Sequence, residues 1–326
     1  MCRNDKRNRS VNITEIGDFL DDIIQLNSYP LKTTLSILIN DKTTKKNIVW
    51  ATDGYMQYGE LYAESSQITV GALTGFDPIM IQPRIRKALE KQQKRTRSHA
   101  EVFTPSWICN KMNNYCDEEW FGRKDVFNVE TEQSWKTVSD MIEFPDKKDW
   151  KQYVDSRRLE ITCGEAPYIV SRYDASTGDI IEITNRIGIL DRKLRIVGEN
   201  TDNEVDWFKW MTRAFQSVYG YEYQGDNLLI GRINLLMTFV DYLDYKWHRE
   251  PTVKELKSIA NIISWNLWQM DGLKGTVPAK PKEENVQLSL LDYFEEKPEQ
   301  ENQALKCRIF DWRKDSSILY ETLKEK

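Results

Sequence analysis

Histidine is almost missing from this chain: 326 residues contain two, His99 and His248. They stand far apart and outside any HExxH pattern, which argues against a structural zinc site. Cysteine is sparse too. The five, Cys2, Cys109, Cys116, Cys163 and Cys307, form no CxxC pair and are odd in number, so reduced thiols are expected rather than disulfides. No apolar run approaches the ~20 residues that a membrane helix needs. The opening Met1-Cys-Arg-Asn-Asp-Lys-Arg is basic but leads into no apolar segment, so no secretion signal is expected and a cytoplasmic protein is. Neither sign of charge dominates. The net of −5 argues against wholesale wrapping of nucleic acid, while a local basic patch can still steer DNA.

What is present is ordinary for a soluble globular protein, with 40% hydrophobic and 30% charged residues. The length allows one large domain with appendages or two smaller ones.

The most informative stretch is Arg158-Leu-Glu-Ile-Thr-Cys-Gly-Glu-Ala-Pro-Tyr-Ile-Val-Ser171. It predicts a strand running into a tight turn, with Glu160 near the strand's end, then the small pair Cys163-Gly164, then Ala166-Pro167. In a doubly wound sheet, such a turn lets backbone N–H groups approach a ligand over the carboxyl edge, here a nucleoside-type cofactor. Taken alone, the pattern also fits an ordinary turn of an α/β protein. Two further stretches agree with the cofactor reading: His99-Ala-Glu-Val-Phe-Thr-Pro-Ser-Trp-Ile108 before it, and the run from Tyr219 to Leu236 after it.

In this order the three stretches resemble the amino-group DNA methyltransferases that modify adenine at N6, in the branch with the cofactor motifs first. Phe103-Thr104-Pro105 is similar to the Phe-Thr-Pro motif that borders the S-adenosylmethionine pocket in that family. Glu160-Ile-Thr-Cys-Gly-Glu-Ala-Pro-Tyr-Ile169 is similar to its first cofactor motif, Asp/Glu-Pro-Ala-Cys-Gly-x-Gly-x-Phe-Leu. Gly220-Tyr-Glu222 resembles the strand whose acid binds the cofactor ribose, and Asp311 the acid that meets the adenine ring. The whole chain resembles the M subunit of bacterial restriction-modification systems. The resemblance implies an α/β fold, a Rossmann-like methyltransferase sheet with an N-terminal α+β extension and an insertion between the cofactor motifs. It also implies S-adenosylmethionine held by Phe103, Thr104, Pro105, Glu160, Cys163, Gly164, Glu222 and Asp311, and double-stranded DNA as partner.

The sequence departs from that pattern. Ile161 stands in place of the usual Pro of the first motif and Ala166 in place of its second Gly, which stiffens the loop. No Asp/Asn-Pro-Pro-Tyr/Phe is found, the motif that in the family accepts hydrogen bonds from the target amino group and stacks on the flipped base. The catalytic residues are therefore unknown, and the base-binding residues are expected from a partner chain, such as a restriction or second methyltransferase subunit, or from an unrecognised substitute in this one.

Four regions are expected: an N-terminal α+β cap and basic segment (1–97), a methyltransferase-like cofactor domain (98–278), an acidic flexible linker (279–306) and a C-terminal strand/helix segment (307–326). Helical spacing of Ile16, Phe19, Leu20, Ile23 and Ile24 predicts a helix over 13–26, and β-branched residues predict strands over 33–40 and 47–52. Arg84, Arg86, Lys87, Lys91, Lys94, Arg95 and Arg97 stand against Glu90 alone, and present either phosphate-binding charge or a solvated helix face.

Helices are expected over 106–119, 207–217 and 227–245, a strand over 179–184, and a helix or strand-to-helix passage over 186–197. Trp120, Trp135 and Trp150 fit core packing better than base stacking. The aromatic and amide-rich run from Ile259 to Val277 is read as helix packing, with a base pocket as the alternative. Within the linker, Gln287, Leu290, Leu291, Tyr293 and Phe294 resemble a short peptide that docks on a sliding clamp, though packing on its own domain explains the same residues.

A second functional reading is a non-catalytic DNA-binding or assembly subunit with a degenerate methyltransferase fold. A third, a nuclease component, lacks any acid-and-lysine spacing that stands out.

Overall fold

The computed structural model describes residues 25–75, 81, 83, 85, 104–145, 149–278 and 304–323. The helices are α1 (Leu31–Leu38), α2 (Val70–Thr74), α3 (Ser106–Phe121), α4 (Trp150–Asp155), α5 (Ile189–Glu199), α6 (Glu204–Gln216), α7 (Gly225–Trp247) and α8 (Val253–Asn266). The strands are β1 (Asn128–Glu130), β2 (Trp135–Thr137), β3 (Arg158–Glu160), β4 (Val218–Glu222), β5 (Leu267–Gln269), β6 (Arg308–Asp311) and β7 (Ser316–Leu319). The protein is mixed α/β with a small parallel sheet.

That sheet has the order β3-β4-β5, with Leu159 opposite Tyr219 and Tyr221 opposite Trp268. Parallel neighbours need long crossovers, and helices supply them: α5 and α6 lie between β3 and β4, α7 and α8 between β4 and β5. The central strand, Val-Tyr-Gly-Tyr-Glu, is buried at every position, as a strand covered on both faces must be. Alternation then divides its side chains. Tyr219, Tyr221 and Trp268 pack with Ile309 of the antiparallel β6–β7 hairpin and with Tyr320, while Val218 and Leu267 face the main core.

Local sequence explains the principal helices. α8 opens with a capping box, in which Thr252 and Glu255 exchange side-chain-to-backbone hydrogen bonds. α3 stops at Gly122, whose left-handed φ of 71° closes the last turn. α7 is buried nearly all round, so it runs through the core rather than over it.

Three expected strands, over 33–40, 47–52 and 179–184, are absent. Residues 31–38 are helical because Leu31, Leu35 and Leu38 recur at helical spacing and are buried together, which outweighs the β-branched character of the threonines. The stretch 179–184 contributes a single bridge, Ile180 to Tyr173, before a short 3-10 turn at Ile183–Asn185, and 47–52 only isolated bridges. The expected helices over 106–119, 207–217 and 227–245 are present, and 186–197 contributes α5. Trp120 and Trp150 pack against the core, while the Trp135 indole N–H donates to the Asn185 carbonyl.

The N-terminal residues share the main core with the sheet region: Leu31, Leu35, Leu38 and Trp50 belong to the same buried cluster as α7 and α8. Arg232 of α7 fastens the two. Its fully buried guanidinium donates to the carbonyls of Leu38 and Asn40 on one side and Ser264 and Leu267 on the other.

Candidate functional site

β3 and β4 are parallel neighbours, so their carboxyl ends bring Glu160 and Glu222 to the same edge. Between them lies the turn that follows β3. Thr162, Gly164 and Ala166 all have left-handed φ, at 48°, 53° and 65°. Two of these are not glycine, so the turn holds backbone strain of the kind surrounding structure must enforce.

The enforcement is visible. A Cβ on Gly220 would lie 3.1 Å from the Cys163 sulfur, and one on Gly231 of α7 would lie 3.1 Å from the Gly164 carbonyl oxygen. The turn therefore sits directly on the central strand and on α7, at places where a Cβ would press on its neighbours more tightly than ordinary contacts do. The Cys163 N–H donates to the Tyr221 carbonyl, extending the sheet by one bond into the turn.

Both acids are engaged by this turn. Glu222 accepts from the Gly164 N–H at 2.9 Å with one oxygen and from the Gln224 N–H at 3.0 Å with the other. Glu160 accepts from the N–H groups of Tyr168 and Ile169 at 3.4 and 3.2 Å. Burial pushes the Glu160 carboxyl well above the usual carboxylate range; the two amides pull it down, and the nearby Glu222 adds to the rise. Burial first, then the same two carboxylates, push the Cys163 thiol well up, which makes it a packing group rather than a nucleophile.

Thr104 and Pro105 stand beside this edge. The Thr104 side chain hydrogen-bonds Tyr168, whose N–H reaches Glu160, and Ser106 N–H donates to Asp174 at 2.7 Å at the start of α3. Thus Thr104, Pro105, Glu160, Cys163, Gly164 and Glu222 are brought together. Asp311 is not. It pairs with Arg157 at 2.8 Å, at the opposite, amino end of β3, and accepts from the Arg313 and Lys314 N–H groups in the β6–β7 turn. Phe103, the basic residues Arg84, Arg86, Lys87, Lys91, Lys94, Arg95 and Arg97, and the peptide Gln287, Leu290, Leu291, Tyr293 and Phe294 lie outside the described residues.

Residues outside the candidate cofactor set also support the turn. The Tyr173 hydroxyl donates to Glu165 at 2.6 Å, and the Asn234 amide donates to the Glu165 carbonyl and the Tyr173 oxygen, both at 3.1 Å. Further along α7, Asp241 receives Arg172 and Arg186 at 2.8 and 2.7 Å. The segment expected as an insertion is thus tied along one side of α7. The available signal was Gly231, Asn234, Thr238 and Asp241, recurring every three or four residues in an otherwise apolar helix.

Chemically, the edge offers backbone N–H groups from a tight turn and two carboxylates that can exchange those amides for ligand hydroxyl or amino groups. Among the described residues no cluster of three or more side chains is suited to a metal ion, and no helix is long and apolar enough to cross a membrane. Comparison with protein-family models, curated proteins and solved structures finds no match.

Proposed function

We propose that the chain binds S-adenosylmethionine as the M subunit of a DNA adenine-N6 methyltransferase of a restriction-modification system, with a partner chain supplying the base-binding motif. The observation that carries this reading is the meeting of Glu160 and Glu222 at a glycine turn over the carboxyl ends of adjacent parallel strands. Three parallel strands in chain order, joined through helices, also correspond to one half of a doubly wound nucleotide-binding sheet. In this reading Glu222 releases the Gly164 N–H and accepts from both ribose hydroxyls. The freed amide and the left-handed turn face the methionine portion, and Thr104 and Pro105 border the pocket. Methyl transfer itself is direct displacement by an adenine N6 held in line, after the base leaves the duplex.

One observation favours the second reading, a non-catalytic assembly or DNA-binding subunit. Both carboxylates already have backbone N–H partners in the chain itself, so the cofactor must displace bonds that the fold makes without it.

Calorimetric titration of the full chain with S-adenosylmethionine, beside Glu222→Ala, separates the two. Saturable binding by the wild type that weakens at least about tenfold in the folded variant supports the cofactor role, since an oriented hydrogen bond to a charged group contributes roughly 1.5–3 kcal/mol. A folded wild-type chain that gives no heat leaves the assembly subunit.

A further inference from the structure

A stripe of lysines and aromatic rings crosses the far side of α8, away from the acidic edge. On α8 itself, Lys254, Lys257, Asn261 and Trp265 recur at spacings of three and four and therefore share one face. That face runs for about 16 Å at the helical rise. Lys254 and Lys257 are exposed, and Trp265 is half-buried.

The turn after α1 adds to it. Lys42 Nζ bonds the Asn261 side-chain oxygen at 2.9 Å, and Lys45 Nζ stands 5.2 Å from the centre of the Trp265 ring. The β6–β7 hairpin then carries the aromatic line onward. The ring centres of Trp265 and Phe310 are 5.2 Å apart, and those of Phe310 and Trp312 4.4 Å. All three rings are half-buried, and the Trp312 N–H is fixed on Asn266 at 2.7 Å, so the rings are held in place rather than free to collapse.

The charge here opposes that of the whole chain. Lys42, Lys45, Lys46, Lys254, Lys257 and Lys314 have no carboxylate partner among the described residues. The acids on the same elements are engaged elsewhere. Asp41 is buried and accepts from the Thr43 and Thr44 N–H groups, Glu255 belongs to Arg249 and the capping box, and Asp311 belongs to Arg157. Asp315, at the hairpin tip, is the exposed exception. Against a net of −5, six lysines without a carboxylate partner among the described residues, on the elements that carry three fixed rings, are a concentration of one sign.

We propose that this face binds single-stranded nucleic acid. The lysines follow the phosphates, and unpaired bases stack on Trp265, Phe310 and Trp312, a combination that a duplex with its bases turned inward does not satisfy. The inference uses none of the residues proposed to hold the cofactor.

The test is fluorescence anisotropy of the full chain with a labelled oligo(dT) of about 12 nucleotides, a length within the range that such stacking surfaces cover, beside a duplex of equal length. Binding to the single strand is expected to exceed binding to the duplex and to quench tryptophan emission. It is also expected to weaken with salt, with a slope of about 0.7 per phosphate neutralised. A Lys45→Glu/Lys254→Glu/Lys257→Glu variant, with surface changes alone, is expected to lose at least about tenfold in affinity and part of that slope. Lys136→Glu, on the β1–β2 hairpin, is expected to leave binding unchanged. Trp265→Leu, checked for folding by circular dichroism, is expected to lose part of the quenching, the remainder belonging to Trp312. Absent binding, equal or tighter binding of the duplex, or wild-type affinity in the triple variant overturns the proposal.

Discussion

Glu160 shows how one residue carries a cost for its position. Burial raises its carboxyl well above the ordinary value, with Glu222 adding to the rise, so keeping it charged opposes folding. The sign follows from the folded value lying above the unfolded one. The contribution is most favourable below the unfolded glutamate value of about 4.3 and is lost as pH rises through the raised folded value. Glu160→Gln, which gives up one acceptor to its amide nitrogen, is therefore expected to gain stability relative to the wild type as pH rises toward neutral, the gain shrinking as pH falls. Urea midpoints of both proteins across that range measure it, and an advantage that grows on acidification contradicts the assignment.

At the scale of single elements, α8 joins the sheet, the N-terminal segment and the lysine stripe. Its capping box is the feature most directly tied to sequence: Thr252 and Glu255 stand three apart before an apolar run. Thr252→Ala is expected to cost about 1 kcal/mol in urea unfolding. Glu255→Ala is expected to cost more, because it also removes the ion pair to Arg249 at 2.7 Å. Elements were legible in sequence where one period was clear. α6 and α7 follow apolar spacing, and the turn at 162–166 follows its small residues. α1 was misread because Thr33 and Thr34 drew attention to β-propensity while Leu31, Leu35 and Leu38 set the burial. The single bridge at Ile180 was overread as a strand, since alternating residues there have no partner strand to pair with.

For the molecule as a whole, Arg232 is the decisive tie. Its guanidinium is entirely buried and has no ion pair among the described residues; burial lowers it to about 10, with the Asp41 carboxylate pulling the other way. It is held by carbonyl oxygens from the end of α1, from α8 and from β5. Arg232→Met is expected to cost about 3 kcal/mol or more, because several buried carbonyls lose a charged donor at once. The N-terminal segment and the sheet are expected to unfold together, since they share one core. Calorimetry that resolves a separate early transition for the N-terminal segment contradicts this.

Local sequence was enough for α3, α6 and α7, though not for the bounds of α8, and for the acid-and-glycine character of the turn after β3. These depend on local period and local backbone freedom, which neighbouring residues express directly. The tertiary structure decided what those residues meet. Parallel pairing across a crossover of more than fifty residues brought Glu222 to the Gly164 amide, and packing placed Asn234 beneath the turn. It also left Asp311 at the other end of β3, because the β6–β7 hairpin covers the face of Tyr219 and Trp268 and directs its acid toward Arg157. Contacts of that span are set by which surfaces bury best together, and no stretch of sequence contains both partners.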